Sequence, residues 1–473
     1  MDLFDVCAQK MRDSEMSEVS VKQFERLYRT WQEGNNGQIP ESEVEPLTNL
    51  PKLVRIENQA ERKEALKAFE KTAFLKLNGG LGTSMGLDGP KSLLPVRRHK
   101  AIQRSFLDII LGQLTTVRER QNVRLPLTLM NSFSTSKQTL NKIREKHNFK
   151  QDGVPLEIMQ HIEPKIDCKT GKPAEYKADP KLEWCPPGHG DVFSTMWESN
   201  LLDILLEQGF EFLFISNSDN LGARPSSTAA GAFAQSGSSF MLEAARRTKA
   251  DRKGGHIVKN AKTSSLLLRE MSQVSSEDMD SACDIERHPF FNTNNIWVRI
   301  KDLRDLLEKN GGILPLPVIL NEKNVNPADS STEKVIQLET AMGAAASLFD
   351  NASCIEVSRA RFLPVKTTND LLIMRSDRFH LTDAYEMEDG DYNLPHIDLD
   401  SRFYKNISDF EERFPYGVPS LAAARSVDIR GDWTFGQNVK FFANAVLEDE
   451  GRASYVPNGS FVGPCGIESD KWM

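Results

Sequence analysis

The stretch Ala73-Phe74-Leu75-Lys76-Leu77-Asn78-Gly79-Gly80-Leu81-Gly82-Thr83-Ser84-Met85-Gly86-Leu87-Asp88-Gly89-Pro90-Lys91-Ser92 decides the fold. Its first five residues read as a strand that opens abruptly into a glycine turn. Five glycines fall within the eleven positions 79–89. Without Cβ atoms such a backbone takes positive φ and brings its N–H groups against phosphate oxygens. A Walker A loop needs the glycine directly before the lysine, and Pro90 separates Gly89 from Lys91, so spacing excludes it. The dinucleotide fingerprint G-x-G-x-x-G is met only as G-x-G-x-x-x-G by Gly80, Gly82 and Gly86, and Ser84-Met85 begin no convincing helix. Two readings stay open: a loop that drapes over a nucleotide's phosphates and delivers Lys91 from its far end, and a plain glycine-rich surface loop.

Outward from this stretch, helix alternates with buried strand. Upstream, residues 21–32 carry Phe24, Leu27, Tyr28 and Trp31 at helical spacing, a face that must pack against something larger. Residues 62–71 read as a second helix leading into the strand. Downstream, a helix over 106–120 leads to a strand over 125–130, and a helix over 192–207, with Asp191 as N-cap and Gly209 as stop, leads to a strand over 210–215. This alternation predicts a largely parallel α/β sheet. The last of these strands ends in Ser216-Asn217-Ser218-Asp219-Asn220, a polar cluster at the edge where open α/β sheets bind ligands.

The chain has 473 residues, enough at roughly 100–200 per domain for two to four domains. Its 59 basic and 67 acidic side chains leave a charge of −8, which argues against general nucleic-acid or membrane-surface binding. Any anion site must come from local lysines, backbone N–H groups or a metal. Six scattered cysteines with no C-x-x-C pair read as reduced thiols, and neither a signal peptide nor a membrane span is legible, so a cytoplasmic protein is expected. Near the end, Ile429, Phe435, Phe441 and Leu447 recur every six residues, as do Val427, Trp433, Val439 and Ala445. Period six fits the turns of a parallel β-helix, and it also fits a meander of short alternating strands. The acidic run 277–280 reads as a solvated loop, the basic run 246–253 as an exposed helix end, and His288 has no partner at metal spacing.

The glycine run resembles that of the eukaryotic-type UDP-glucose pyrophosphorylase family. So, in the same order, do Pro186-Pro187-Gly188-His189-Gly190-Asp191, residues 216–222, Phe291-Asn292-Thr293-Asn294-Asn295, Gln337-Leu338-Glu339-Thr340 and Arg361-Phe362-Leu363-Pro364-Val365-Lys366. The related UDP-N-acetylhexosamine enzymes carry an Arg where this chain has Ser84. One motif departs: the family shows Phe-Asn-Gln-Ser-x-x-Pro-Arg where this chain has Met159-Gln160-His161-Ile162-Glu163-Pro164-Lys165.

The resemblance implies reversible, Mg²⁺-dependent transfer of the uridylyl group from UTP to glucose 1-phosphate, giving UDP-glucose and pyrophosphate. A sugar phosphate is already an oxygen nucleophile, so the task is alignment and charge neutralisation. By resemblance, Asp219 holds Mg²⁺, Lys91 meets the pyrophosphate side and Lys366 the α-phosphate. The nucleotide is bound by Leu77, Asn78, Gly79, Gly80, Lys91, Gln160, Gly188, Asn217, Asp219 and Lys366, with the Gln160 amide on the uracil edge. Sugar phosphate meets Gly79, Gly80, His189, Asn294 and Glu339. The implied architecture is a helical segment over 1–70, a Rossmann-like nucleotidyltransferase domain with a mixed, mostly parallel sheet over 71–375, and a left-handed parallel β-helix over 376–473. In the family that last domain can mediate homo-oligomers, and monomers also occur. Wider sugar tolerance shares every motif, whereas a non-catalytic UDP-sugar sensor could dispense with Lys91, Asp219 and Lys366.

Overall fold

The computed structural model describes residues 2–147, 149–248, 251, 254–389 and 393–468. The strand ahead of the glycine run sits in the middle of a mixed sheet of ten strands among the described residues. In chain order these are β1 (Val44–Pro46), β2 (Thr72–Asn78), β3 (Leu127–Asn131), β4 (Glu157–Met159), β5 (Phe212–Asn217), β6 (Phe240–Arg246), β7 (His256–Asn260), β8 (Leu266–Arg269), β9 (Phe290–Arg299) and β10 (Ser353–Glu356). Strands β5, β2, β3 and β4 lie side by side and parallel, and β9 closes them antiparallel to β5. On its far side β9 pairs with β6 and β7.

The strands carry near-continuous apolar runs because helices cover both faces. Ala73, Leu75, Leu213 and Ile215 point to one face, where the helices Val192–Glu198 and Leu201–Glu207 pack, and Phe74, Phe212 and Phe214 point to the other, against the helix Phe106–Gln121. The single helix expected over 192–207 is therefore two, broken where Asn200 takes a left-handed φ of 55°. Asp191 does not cap it; its carboxylate is taken by Gln23 and His161 instead.

The N-terminal helices Leu3–Asp13 and Glu18–Gln32 join Phe4, Met11, Phe24, Leu27 and Tyr28 to Ile166 and Leu338 of a small antiparallel sheet and to Val318 just ahead of it. The basic run begins at the end of strand β6, not of a helix. Arg246 pairs there with Glu356, and residues 249, 250, 252 and 253 lie outside the described residues. The acidic run is not simply solvated, since Asp278 bonds Arg269 and the Glu41 amide. All six cysteines are free thiols, and among the described residues no helix is long and apolar enough to cross a membrane.

At the C-terminal end His396–Leu399, Ser420–Ile429, Lys440–Leu447 and Phe461–Gly463 stack as successive parallel strands, and Trp433–Phe435 lies parallel to Ser454–Val456. Val427 stands opposite Ala445 and Ile429 opposite Leu447, three hexads on. All eight residues of the two six-residue series are buried. They share one continuous core with the Phe74 face of the sheet, and Phe435 sits inside it, stacked 4.8 Å from Phe414 and edge-on to Phe441. Phe435→Ala should cost about 3–5 kcal/mol of stability, read as a lowered urea midpoint.

Candidate functional site

Register places four strand ends on one edge. Asn217 is level with Leu77, Asn78 with Asn131, and Asn131 with Met159, so the glycine loop, Gln160 and Asp219 all leave the carboxyl edge of the parallel half. The glycine loop folds back on itself. Leu81 bridges Pro90, and the Lys91 amide returns to the Gly80 carbonyl at 3.3 Å. This closure delivers Lys91 across the edge, where its Nζ lies 2.7 Å from Asp219 Oδ2 in a mostly buried ion pair.

The segment carrying Lys366 is stitched to the same loop. Val365 N donates to the Asp219 carbonyl at 3.3 Å, and Pro364 bridges Asn220. Asn220 is buried and fully used: its Oδ1 accepts from Gly222 N and Leu363 N, and its Nδ2 donates to Asn295 Oδ1 and the Arg361 carbonyl. Beneath it Arg361 donates two 2.7 Å bonds to the carboxylate of Glu243, which is 0% exposed. Lys76, also buried under the loop, donates to Ser216 Oγ and the Ala223 carbonyl; burial pulls its ammonium down to about 7. Lys366 itself is exposed and opens into a cavity of about 1150 Å³ with Asn294, Glu270, Gly254 and Gly255. Asn294 reaches it from a bulge in β9 and has a left-handed φ of 57°.

A second group gathers around Gly188. A Cβ on Gly79 would stand 2.2 Å from Gln160 Oε1, and Gln160 Nε2 donates to the Gly188 carbonyl at 3.1 Å. Gly188 has φ +79°, and a Cβ there would meet the Thr340 carbonyl oxygen at 2.5 Å, so both glycines are required by close approach. His189 Nδ1 accepts from Met342 N at 3.0 Å, which leaves Nε2–H as a donor. The protein packed around the ring pushes its pKa down to about 4, so the imidazole is neutral.

Lys91 and Asp219 thus meet as an ion pair, the backbone just ahead of Lys366 is bonded to Asp219, and Gly79, Gln160 and Gly188 gather beside His189. Asn78 does not present its side chain; its Nδ2 is held inside by Asn131 and Thr139. Leu77 contributes a carbonyl that holds the Ser218 amide. Glu339 is half-buried beside Gly188, 3.9 Å from Lys323, and does not line the cavity of Lys366 and Asn294. The sequence reading missed Glu270. Burial pushes its carboxyl up against the pull of Lys366, yet it follows an ordinary strand with no local signal. No group of three metal-ligating side chains exists among the described residues.

An open α/β sheet with a glycine loop leaving its central parallel strand, and an acidic residue at the end of the neighbouring one, defines a nucleotidyltransferase-like protein. The sequence family described as UTP–glucose-1-phosphate uridylyltransferase matches residues 21–441, and the chain belongs to that family. It is 36% identical to UTP–glucose-1-phosphate uridylyltransferase 2 of Dictyostelium discoideum, covering 82% of this chain and 76% of that protein. With the enzyme of Musa acuminata identity is 38%, over 80% and 79%. A Leishmania major UDP-glucose pyrophosphorylase variant, solved with UDP-glucose, is 36% identical and superposes with a TM-score of 0.89 over 98% of both chains. A Trypanosoma brucei structure described as a UDP-glucose phosphorylase is 39% identical with a TM-score of 0.88, over 98% of this chain and 100% of that one.

The geometry around His189 carries a prediction. A histidine held neutral by the fold takes up fewer protons than in the unfolded chain, so its contribution is intact above its ordinary pKa of about 6.5 and fades as pH falls toward 4. Ring-nitrogen NMR should show the Nε2–H tautomer from pH 8 to about 5, and a His189→Asn variant should flatten the acid limb of the stability profile.

Proposed function

We propose that this chain transfers the uridylyl group of UTP to glucose 1-phosphate, reversibly, with Lys91, Asp219 and Lys366 as the reacting-centre residues. The observation that carries the reading is the 2.7 Å Lys91–Asp219 pair at the carboxyl edge, with the Lys366 segment bonded to the Asp219 backbone. Two polyanions must be held so that a sugar-phosphate oxygen lies in line with the α-phosphorus, and neither a general base nor a covalent intermediate is needed. The glycine loop offers backbone N–H groups to the phosphates. Lys91 exchanges its bond to Asp219 for one to the leaving pyrophosphate, and Lys366 meets charge developing at the α-phosphate.

Freed of Lys91, Asp219 is a single carboxylate with room for phosphate oxygens and water around a cation, the donor set that suits Mg²⁺. The chemistry the ion supplies when bound is charge neutralisation across the transferred and leaving phosphates. At the other end, Gln160 and Gly188 receive the uracil, with Gly79 and Gly80 beneath the nucleotide. Neutral His189 donates through Nε2, and Asn217, Asn294 and Glu339 serve hydroxyl groups. Glu270 joins them as an acceptor, since a carboxyl pushed toward neutrality by burial gains from a sugar hydroxyl. The three-hexad offset of the C-terminal strands supports a β-helix over 376–473, left-handed as the family resemblance implies, behind a catalytic domain over 71–375 and a largely helical segment over 1–70 that lends strand β1 to the central sheet. That β-helix is the candidate surface for self-association.

A pyrophosphate-release assay with UTP, Mg²⁺ and glucose 1-phosphate tests the reading, and absence of turnover overturns it. Comparing kcat/KM for galactose 1-phosphate separates a narrow enzyme from a broad one. Lys366→Ala should lower kcat by about 10²–10³, the range for removing one preorganised charge contact, with KM changing far less. Equal losses in both would make Lys366 a structural lysine.

A further inference from the structure

We propose that His161 and Asp191 form a clasp that fixes the orientation of the Gln160 amide and so sets the preference for uracil over cytosine; this rests on the reading of Gln160 and Gly188 as the base site. The two halves of that site come from distant parts of the chain. Gln160 follows β4, and Gly188 belongs to the turn before the helix Val192–Glu198. Between them runs the Gln160 Nε2 to Gly188 carbonyl bond at 3.1 Å.

That bond determines which way the amide faces. A carbonyl only accepts, so the –NH₂ of Gln160 must point to Gly188 and its Oε1 the other way. One N–H remains for the base. An amide fixed in this sense accepts from uracil N3–H and donates to O4. Against cytosine the same amide sets an oxygen before the N3 lone pair and an N–H before the N4 amino group. Only rotation of the amide by a half turn would repair the match, and rotation is blocked while Gly188 keeps its carbonyl in place.

His161 and Asp191 keep it there. Asp191 is 0% exposed and lies three residues beyond Gly188. Its Oδ2 accepts from the His161 main-chain N–H at 2.9 Å and its Oδ1 from His161 Nδ1 at 2.8 Å, so the residue next to Gln160 is gripped at two points. The other ring nitrogen bonds Glu198 at the end of the helix Val192–Glu198. Burial opposes a charged ring, but Asp191 and Glu198 outweigh it and lift His161 to about 10, so the grip is charge-assisted. Neighbouring Glu163, fully buried, is pushed well up and does not compete as an anion. From the N-terminal helices Gln23 Nε2 donates to Asp191 Oδ1 at 3.0 Å, and Ser194 Oγ donates back to Gln23.

The test is steady-state kinetics of the full chain with UTP and with CTP. His161→Ala should lower the UTP/CTP ratio of kcat/KM by about tenfold or more, the worth of one charge-assisted hydrogen bond. Its kcat at saturating UTP and its KM for glucose 1-phosphate should stay near wild type. His161→Asn, whose amide nitrogen reaches the position of Nδ1, should restore the ratio. A ratio unchanged in His161→Ala, or not restored by His161→Asn, overturns the clasp. Should His161→Ala fail to fold, Gln23→Ala removes only the outer bond to the Asp191 carboxylate and should lower the ratio by about tenfold, the effect of losing one hydrogen bond to a charged group at the weak end of its range; no change there overturns the clasp equally. Gln160→Ala separates the two claims, because discrimination that survives it refutes the base site itself.

Discussion

The carboxylate of Glu243 lies fully buried and takes four hydrogen bonds, two from Arg361 and one each from Trp297 and Asn295. A charge in that position is tolerable only because every lone pair is answered, and removing one partner would leave the other uncompensated. Arg361 begins the segment that ends in Lys366, Asn295 lies on β9, and Asn220 follows Asp219. The pair therefore determines how the metal-ligand candidate and the lysine opposite stand relative to each other. The catalysis by alignment proposed for this site needs that rigidity.

Charge is organised locally and not by the surface as a whole. The chain carries −8, yet the carboxyl edge concentrates Lys91, Lys366 and the buried Lys76. Lys91 and Asp219 neutralise each other until a substrate or ion competes for them, so neither waits as an isolated charge. At the base end the balance is reached differently, with a charged His161 held between two carboxylates and a neutral His189 three residues before the helix Val192–Glu198 begins.

The same sheet explains why distant segments matter to one site. Its Phe74 face is continuous with the C-terminal strands, and residues 393–397 line the Lys366 cavity opposite Asn294 and Glu270. Its other end is braced by the N-terminal helices through Gln23 and Asp191. The candidate site at the carboxyl edge therefore has a floor whose support comes from all three parts of the chain.

The sequence by itself determined the parallel half of the sheet and the glycine loop that ends at Lys91, because strand, turn and apolar period are local, whereas Asp219 and Lys366 stand out only through the resemblance of their motifs to a family. The eight buried hexad residues were legible for the same reason. Tertiary structure alone decided the rest. Asp191 looks like a helix cap until His161 and Gln23 arrive from elsewhere to use its carboxylate, and Asn78 looks like a ligand until Asn131 and Thr139 turn it inward. Glu270 has no signal in its own neighbours and gains meaning only from the cavity it shares with Lys366. Each depends on which distant groups meet a buried polar atom, and burial makes such pairing obligatory while sequence spacing does not record it.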